Sequence, residues 1–228
     1  MNLIVNADDL GYHPVRDDGI LYAFEHGVVT QASLMVNGAS AVTAVAKAKR
    51  ASLPLGLHLN LSEGRPLSPR GEVPSLVDED GRLLGKAGLW AACADGAVRP
   101  SDVAREANAQ LCHFALLVGH SPTHVDGHQH AHVAPGMAEV LSTVFKAAGV
   151  RTTRVPDELL APCTGNPFYT QVVVQARAAR RVYRAAGLRC PDCFFGLGTM
   201  GEDMTPAAIA SQCRRSVWRR ARPRGWAE

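Results

Sequence analysis

The sequence predicts an α/β protein in which parallel strands alternate with helices to form one barrel or open sheet. Strand-like and helix-like segments alternate about six times along the chain, an order that favours parallel strands joined by right-handed crossovers. The 228 residues are enough for one large domain. Polar and ionisable residues recur where the predicted strands end, and parallel α/β folds bind their ligands at that edge.

The first part of the chain supplies three of the predicted strands. Apolar residues are patterned for strands over 2–7, 28–37 and 55–61, and for helices over 15–25 and 41–50. The acidic pair Asp8 and Asp9 follows the first strand directly, and Asn37 ends the second. In the third strand, the two-residue period places His58 and Asn60 on one face and the leucines on the other. We therefore expect these polar side chains to meet at one edge of the sheet.

Residues 62–100 interrupt the alternation with glycine, proline and charged residues and contain only a short helical piece near 89–94. Long loops in a compact domain are usually functional, so this segment is interpreted as an insertion over the mouth of the site. Ser101 is expected to cap the next helix, which should run through Val118.

Four of the nine histidines lie between His124 and His132. This stretch is predicted to be a short strand that runs into a loop, with His124, Asp126 and His128 on one side of the strand. Imidazole and carboxylate at this spacing suit a divalent metal ion. A solvated loop that happens to be rich in histidine is the alternative, and the crowding of four histidines argues against it.

The remainder of the chain predicts further helices and strands. Helices are expected over 137–148, over 168–186 and from Thr205-Pro206 onward, and strands over 150–155, with Arg154 near its end, and 192–197. Apolar periodicity stops near Cys213, so the domain is predicted to cover 1–213. Residues 214–228 contain six arginines and are predicted to form a basic, disordered tail.

Composition excludes several classes of protein. The net charge of +3 comes from the arginines at the chain end, and the rest of the chain is close to neutral, so nucleic acid is not the expected partner. No signal peptide and no run of eighteen apolar residues is evident, which predicts a cytoplasmic protein that does not enter a membrane. The six scattered cysteines fit reduced thiols, and the lone Cys190-Pro-Asp-Cys193 is interpreted as incidental. The oligomeric state is left open.

One aspartate and two histidines can hold a divalent cation while leaving positions for water and a substrate carbonyl. A neighbouring carboxylate can then take the proton from that water. On the residues alone, such a site also suits a metal-dependent phosphoesterase or another single-metal amidohydrolase. A protein that only binds a metal or a carbohydrate is the alternative outside the enzymes.

Four motifs in order resemble those of the YdjC-like (ChbG family) carbohydrate deacetylases, and their sequences are most similar to those of the animal members. They lie at residues 6–11, 34–38, 56–66 and 123–132. The resemblance implies a variant TIM-like (β/α) barrel related to polysaccharide deacetylases. It also implies metal-dependent hydrolysis of a linear amide, the N-acetyl group of an N-acetylated carbohydrate such as a chitooligosaccharide, with one divalent ion, Mg²⁺ or Zn²⁺.

The resemblance also assigns roles to individual residues. Asp9, His58 and His128 match the metal ligands of the family, and Asp8 matches its general base. The further candidates, as neighbours of the ligands or contacts to the substrate, are Asn37, Asn60, His124, Asp126, His130, His132 and Arg154.

The end of the chain departs from the family pattern. The motifs predict that similarity ends near residue 205, because the late strand of the family, with its Glu-Leu-Met and His-Pro-Gly stretches, has no counterpart here. A barrel without that strand would be incomplete at its C-terminal end. A catalytically impaired metal- or carbohydrate-binding protein is therefore the alternative function.

Overall fold

The computed structural model of the chain describes residues 2–158, 165–199 and 205–221. Its centre is a four-stranded parallel sheet in the order β1-β2-β3-β4. The strands are β1 (Asn6–Leu10), β2 (Gln31–Leu34), β3 (Leu55–Leu59) and β4 (Val125–Gly127). Isolated parallel bridges extend this order from Val125 to Thr153 and from Thr152 to Arg189. The predicted α/β fold with a parallel sheet is confirmed, whereas pairing that would close a barrel is not seen within the described ranges.

Seven α-helices and two 3₁₀ turns are present in the described ranges. The helices are α1 (Pro14–Glu25), α2 (Ala41–Ala51), α3 (Gly85–Ala94), α4 (Pro100–Val118), α5 (Met137–Ala147), α6 (Pro167–Ala185) and α7 (Pro206–Ala221). The 3₁₀ turns are Arg70–Glu72 and His128–Val133. None of these helices, over the residues described, is both long and apolar enough to span a membrane.

The core lies between the sheet and the helices packed on it. Every residue of β3 is buried, as expected for a parallel strand covered on both faces. Tyr183 of α6 is fully buried, and its hydroxyl donates to the His132 carbonyl at 2.6 Å. This bond ties α6 to the 3₁₀ turn that carries the histidines, so the core positions one wall of the site.

Strand β1 differs from the prediction and places the acidic pair inside the strand. It begins at Asn6, and its register with β2 shifts between Ala7 and Leu10. Asp9 has a φ of 64°, a left-handed conformation that is uncommon for a residue with a side chain. An irregularity of this kind re-aims side chains that would otherwise alternate between faces. It therefore allows the adjacent carboxylates Asp8 and Asp9 to serve one site.

Three other strand and cap predictions differ from the structure. Helix α4 begins at Pro100, whose fixed φ suits a first turn, and the Ser101 hydroxyl donates to Asp102 rather than capping the helix.

Residues 192–197 do not form a strand. The Glu158 carboxylate accepts hydrogen bonds from the backbone N–H groups of Gly196, Leu197 and Gly198, so these groups are satisfied without a strand partner. The strand predicted over 150–155 is reduced to the two isolated bridges.

Helix α7 continues to Ala221, beyond the predicted end of regular structure at Cys213. Alanine and arginine have high intrinsic helix propensity, which outweighs the loss of apolar periodicity as a signal. Residues 222–228 lie outside the described residues. The division into a domain over 1–213 and a tail over 214–228 stays a prediction.

The insertion after β3 is held by two buried carboxylates of α4. Glu106 accepts the N–H groups of Leu67 and Ser68 at 2.9 Å each. Asp102 accepts both the N–H and the hydroxyl of Ser75. Because buried carboxylates must be paired to be tolerated, these contacts fix the course of the segment even though it has little regular structure.

Gly56 of β3 should tolerate no side chain, because the imidazole of His124 lies over it. A Cβ at this position would come within 2.3 Å of His124 Cε1. Gly56→Ala should lower the free energy of unfolding by about 1–3 kcal/mol, the usual cost of overpacking a core. Urea denaturation measures it, with Gly71→Ala as the control, since a Cβ there meets nothing within 4 Å. Equal stability of the two variants would contradict this packing.

Candidate functional site

The three residues predicted to be metal ligands, Asp9, His58 and His128, converge at the C-terminal ends of β1, β3 and β4. Oδ1 of Asp9 lies 3.1 Å from Nε2 of His58 and 2.8 Å from Nδ1 of His128. One ligand atom from each residue lies within 4.8 Å of those of the other two. Atoms that bind one cation at about 2.0–2.2 Å lie roughly this far apart. Asp9, His58 and His128 could therefore hold a metal ion together.

A buried aspartate orients the first of these imidazoles. Oδ1 of Asp126 lies 2.6 Å from Nδ1 of His58, and both side chains are almost inaccessible to solvent. The contact turns Nε2 of His58 toward Asp9, as carboxylates commonly do for metal-bound histidines. Burial opposes a charge on His58, but Asp126 and Asp9 outweigh it and raise the pKa of His58 to about 10. The surroundings of Nε2 therefore favour positive charge.

Asp8 is paired with Arg154. Nη1 of Arg154 donates to Oδ2 of Asp8 at 2.6 Å, and Nη2 donates to Oδ1. Burial favours the neutral acid, but the guanidinium outweighs this effect, so the pKa of Asp8 is lowered. The Asp8 side chain is still 38% exposed. Asp8 is thus an ionised carboxylate that small molecules can reach.

Arg154 bridges two carboxylates. Besides Asp8, its Nη2 lies 2.6 Å from Oδ2 of Asp126. A second group that could hold a metal combines Asp8, His58 and Asp126. Both oxygens of Asp126 are already engaged, by His58 and by Arg154, so this second group suits a cation less well than the first.

The charge of the whole cluster suits a divalent cation. With the imidazoles neutral, the form in which they can bind a metal ion, four carboxylates and two guanidiniums leave a net charge of −2. These groups are Asp8, Asp9, Glu63 and Asp126, with Arg16 and Arg154. The donor set, one carboxylate and two imidazoles, is typical of sites for first-row divalent ions.

The remaining histidines of the stretch lie around the cluster. His124 is buried beside Thr123, with its Nδ1 3.0 Å from Oγ1 of that residue. Burial lowers the pKa of His124 and brings that of His132 to about 4. Nε2 of His132 lies 3.0 Å from the Arg154 carbonyl, so His132 supports the backbone of Arg154. These two histidines act as neutral parts of the framework.

Of the four histidines between His124 and His132, His130 has the least complete hydrogen bonding. Its backbone has a φ of 59°, and burial brings its pKa to about 3. Nδ1 of His130 is buried and has no hydrogen-bond partner among the described residues. A strained backbone and an unpaired polar atom are often found close to functional sites.

Asn37 and Asn60 support a loop and do not touch the three candidate ligands. Oδ1 of Asn60 accepts the N–H groups of Ser62 and Glu63, and its Nδ2 donates to the Glu63 carbonyl at 2.8 Å. Asn37 accepts from Asn60 at 3.2 Å and donates to the Arg65 carbonyl at 2.9 Å. The two amides therefore fix the path of the chain where it leaves β3.

Three residues of the site were not predicted. Oε2 of Glu63 lies 2.8 Å from Nε2 of His128, and Oε1 accepts the hydroxyl hydrogen of Tyr12 at 2.9 Å. Arg16 pairs with Oδ2 of Asp9 at 2.6 Å. Glu63 lies within the motif at 56–66, which was the available signal. Nothing in the sequence distinguishes Tyr12 and Arg16 from ordinary residues of a loop and a helix.

Comparison with known proteins extends the similarity to almost the whole chain. The profile of the family described as YdjC-like protein matches residues 2–226. The prediction that similarity ends near residue 205 is therefore wrong. The relatives include proteins named carbohydrate deacetylase in Mus musculus, 45% identical over 226 residues, and in Homo sapiens, 45% identical over 222 residues. These alignments cover 95% and 94% of this chain and 72% and 69% of the relatives.

A bacterial relative agrees with this placement, and a solved structure agrees with the fold. A protein of Serratia marcescens named chitooligosaccharide deacetylase is 35% identical over 195 residues, covering 80% of this chain and 75% of that protein. The crystal structure of an Enterococcus faecalis protein, described in connection with cellobiose-phosphate cleavage, superposes with a TM-score of 0.77 at 24% identity. It covers 94% of this chain and 75% of that chain, and at this identity it supports the fold alone.

Proposed function

Because the chain belongs to the YdjC-like family, we propose that it hydrolyses the N-acetyl group of an N-acetylated carbohydrate. The expected products are acetate and the free amine of a chitooligosaccharide-like sugar. The names of the animal and bacterial relatives support this reaction class. The single observation that carries it is the convergence of Asp9, His58 and His128 beside the ionised Asp8.

Asp9, His58 and His128 would hold the metal ion of this reaction. When bound, a divalent ion polarises the amide carbonyl and makes a water molecule more acidic. Two imidazole ligands favour Zn²⁺ or another first-row ion over Mg²⁺, which prefers oxygen ligands. Asp126 holds the ring of His58 in place, so its contribution is to the geometry of the ligand set.

Asp8 is the proposed general base. One of its oxygens lies within 4.8 Å of a ring nitrogen of His58, and its chain neighbour Asp9 contacts both candidate ligand imidazoles, so Asp8 lies beside the ligand set. Asp9 is less suited to this role because its oxygens already contact both imidazoles and Arg16. Arg154 keeps Asp8 ionised and fixes its direction, so the carboxylate is in the deprotonated form that a general base requires. The same proton can then pass to the departing amine.

We also infer that the architecture is a variant TIM-like (β/α) barrel. The consecutive order of the four strands, continued by the bridges to Thr153 and Arg189, is the order in which barrel strands follow one another. The likeness to the Enterococcus faecalis structure supports the same α/β arrangement.

Acetate release tests the proposed function directly. The purified chain, supplied with Zn²⁺ or Mg²⁺, is incubated with N-acetylated chitooligosaccharides, with N-acetylated amino acids and with a phosphodiester. Acetate should appear with the sugars alone. Hydrolysis of the phosphodiester to a phosphomonoester and an alcohol would indicate a phosphoesterase. Sugar binding without any acetate, in a protein that holds its metal, would indicate a binding protein and overturn the proposal.

A further inference from the structure

The carboxylate of Glu63 lies at the mouth of the site, on the loop that follows β3. The geometry points to a positioning role. We propose that Glu63 fixes the orientation of the His128 ring and determines which of its two nitrogens carries the hydrogen. In this way Glu63 would set the affinity of the site for its metal ion. This inference rests on the metal site of the proposed function. Glu63 would act through His128 and would not itself be a ligand.

The contacts of the two imidazoles are alike. His58 directs Nε2 to Asp9 and Nδ1 to Asp126, and His128 directs Nδ1 to Asp9 and Nε2 to Glu63. In both rings one nitrogen is left for a cation, and the other can donate its hydrogen to a carboxylate. Such outer carboxylates hold the ring and make the ligand nitrogen more basic.

The two outer carboxylates differ in where they stand. Asp126 is fully buried within the sheet, whereas the Glu63 side chain is 41% exposed. Glu63 is held from one side by the hydroxyl of Tyr12 and through its backbone by Asn60. The orientation of His128 therefore depends on a loop that borders the solvent, while that of His58 depends on the core.

The position of Glu63 also separates this role from direct ligation. Its Oε2 contacts Nε2 of His128, while Asp9 contacts Nδ1, so Glu63 lies on the opposite edge of the ring. The competing explanation is a surface ion pair with a protonated His128. An ion pair of that kind would be lost without any effect on metal binding, so metal affinity separates the two explanations.

Zn²⁺ affinity, measured on the purified full chain by competition with a chromophoric chelator, is the test. Glu63→Ala should bind Zn²⁺ about 10- to 100-fold more weakly, the usual cost of losing an outer carboxylate. Glu63→Gln keeps a neutral hydrogen-bond acceptor, so its Zn²⁺ affinity should lie between those of the wild-type chain and Glu63→Ala. Glu72→Gln is the matched control, because it removes the same charge from an exposed residue of the same segment that pairs with Arg105. It should change the affinity by less than about twofold, as surface charges contribute little.

Tyr12 supplies a second, independent readout. Tyr12→Phe removes the hydrogen bond to Glu63 and should weaken Zn²⁺ binding by a smaller factor than Glu63→Ala. In the Glu63→Ala background, Tyr12→Phe should have no further effect, because Tyr12 acts through Glu63. Additive losses in the double variant would contradict this chain of contacts.

The outcomes distinguish the inference from the proposal beneath it. Wild-type affinity in Glu63→Ala and Glu63→Gln overturns the role of Glu63 and leaves the metal site intact. A folded wild-type chain that binds no Zn²⁺ overturns the metal site itself. Circular dichroism on heating checks the fold of each variant, and if Glu63→Ala does not fold, Glu63→Gln and Tyr12→Phe decide the question.

Discussion

Purified His58→Ala and His128→Ala should each contain far less metal than the wild-type chain and should lose deacetylation of N-acetylated sugars by roughly 10³-fold or more. A bound metal supplies several kcal/mol of transition-state stabilisation, and each 1.4 kcal/mol is tenfold in rate. Both imidazoles lie about 3 Å from the same oxygen of Asp9, so removing either one leaves an incomplete ligand set. Elemental analysis after dialysis measures the metal, and acetate release measures the activity.

His120→Ala is the matched control for both variants. This residue is exposed and precedes β4, whereas the candidate ligands lie at the other end of the strands. Its metal content and activity should equal those of the wild type. Undiminished metal content in both His58→Ala and His128→Ala would exclude this set of ligands.

Asp8→Asn should keep the metal and lose turnover by roughly 10²-fold or more, the scale expected when a positioned base is lost. The amide cannot accept the proton from water, but it has nearly the same shape and can still accept a hydrogen bond from Arg154. Arg154 also keeps its second partner, Asp126, so the variant should fold. Acetate release and metal content, measured on the same preparation, separate loss of the base from loss of the ion.

Asp18→Asn provides the comparison for this substitution. Asp18 is 65% exposed on α1 and pairs with Lys47, so the same chemical change there should leave activity unaltered. Normal turnover in Asp8→Asn would assign the base to another residue.

Long periodic elements of the fold could be predicted from the sequence. The helices expected over 137–148 and 168–186 correspond to α5 (Met137–Ala147) and α6 (Pro167–Ala185) within about one residue. Their apolar residues repeat over three or more turns, which makes the period unambiguous. Strands were harder, because β1 and β4 are only five and three residues long. A short apolar run carries no period that fixes its register.

The site was predictable where its chemistry is local in sequence. Motifs around Asp9, His58 and His128 indicated the candidate ligands, and the structure brings these three residues together. The roles of Arg154 and Glu63 could not be predicted in the same way. Arg154 meets Asp8 across 146 residues, and Glu63 meets His128 across 65. Such contacts follow from the three-dimensional arrangement of the strands, which no local spacing encodes.

The two carboxylates of α4 that hold the insertion after β3 make its course depend mainly on residues outside the insertion. Glu106 and Asp102 accept hydrogen bonds from the backbone N–H groups of Leu67, Ser68 and Ser75. These groups are present whatever side chain each residue carries. The route of the loop is thus specified from outside the loop. Substitution of the exposed side chains at 69–82 should therefore leave that route in place, apart from Asp78, whose carboxylate accepts hydrogen bonds from the N–H groups of Asp80 and Arg82.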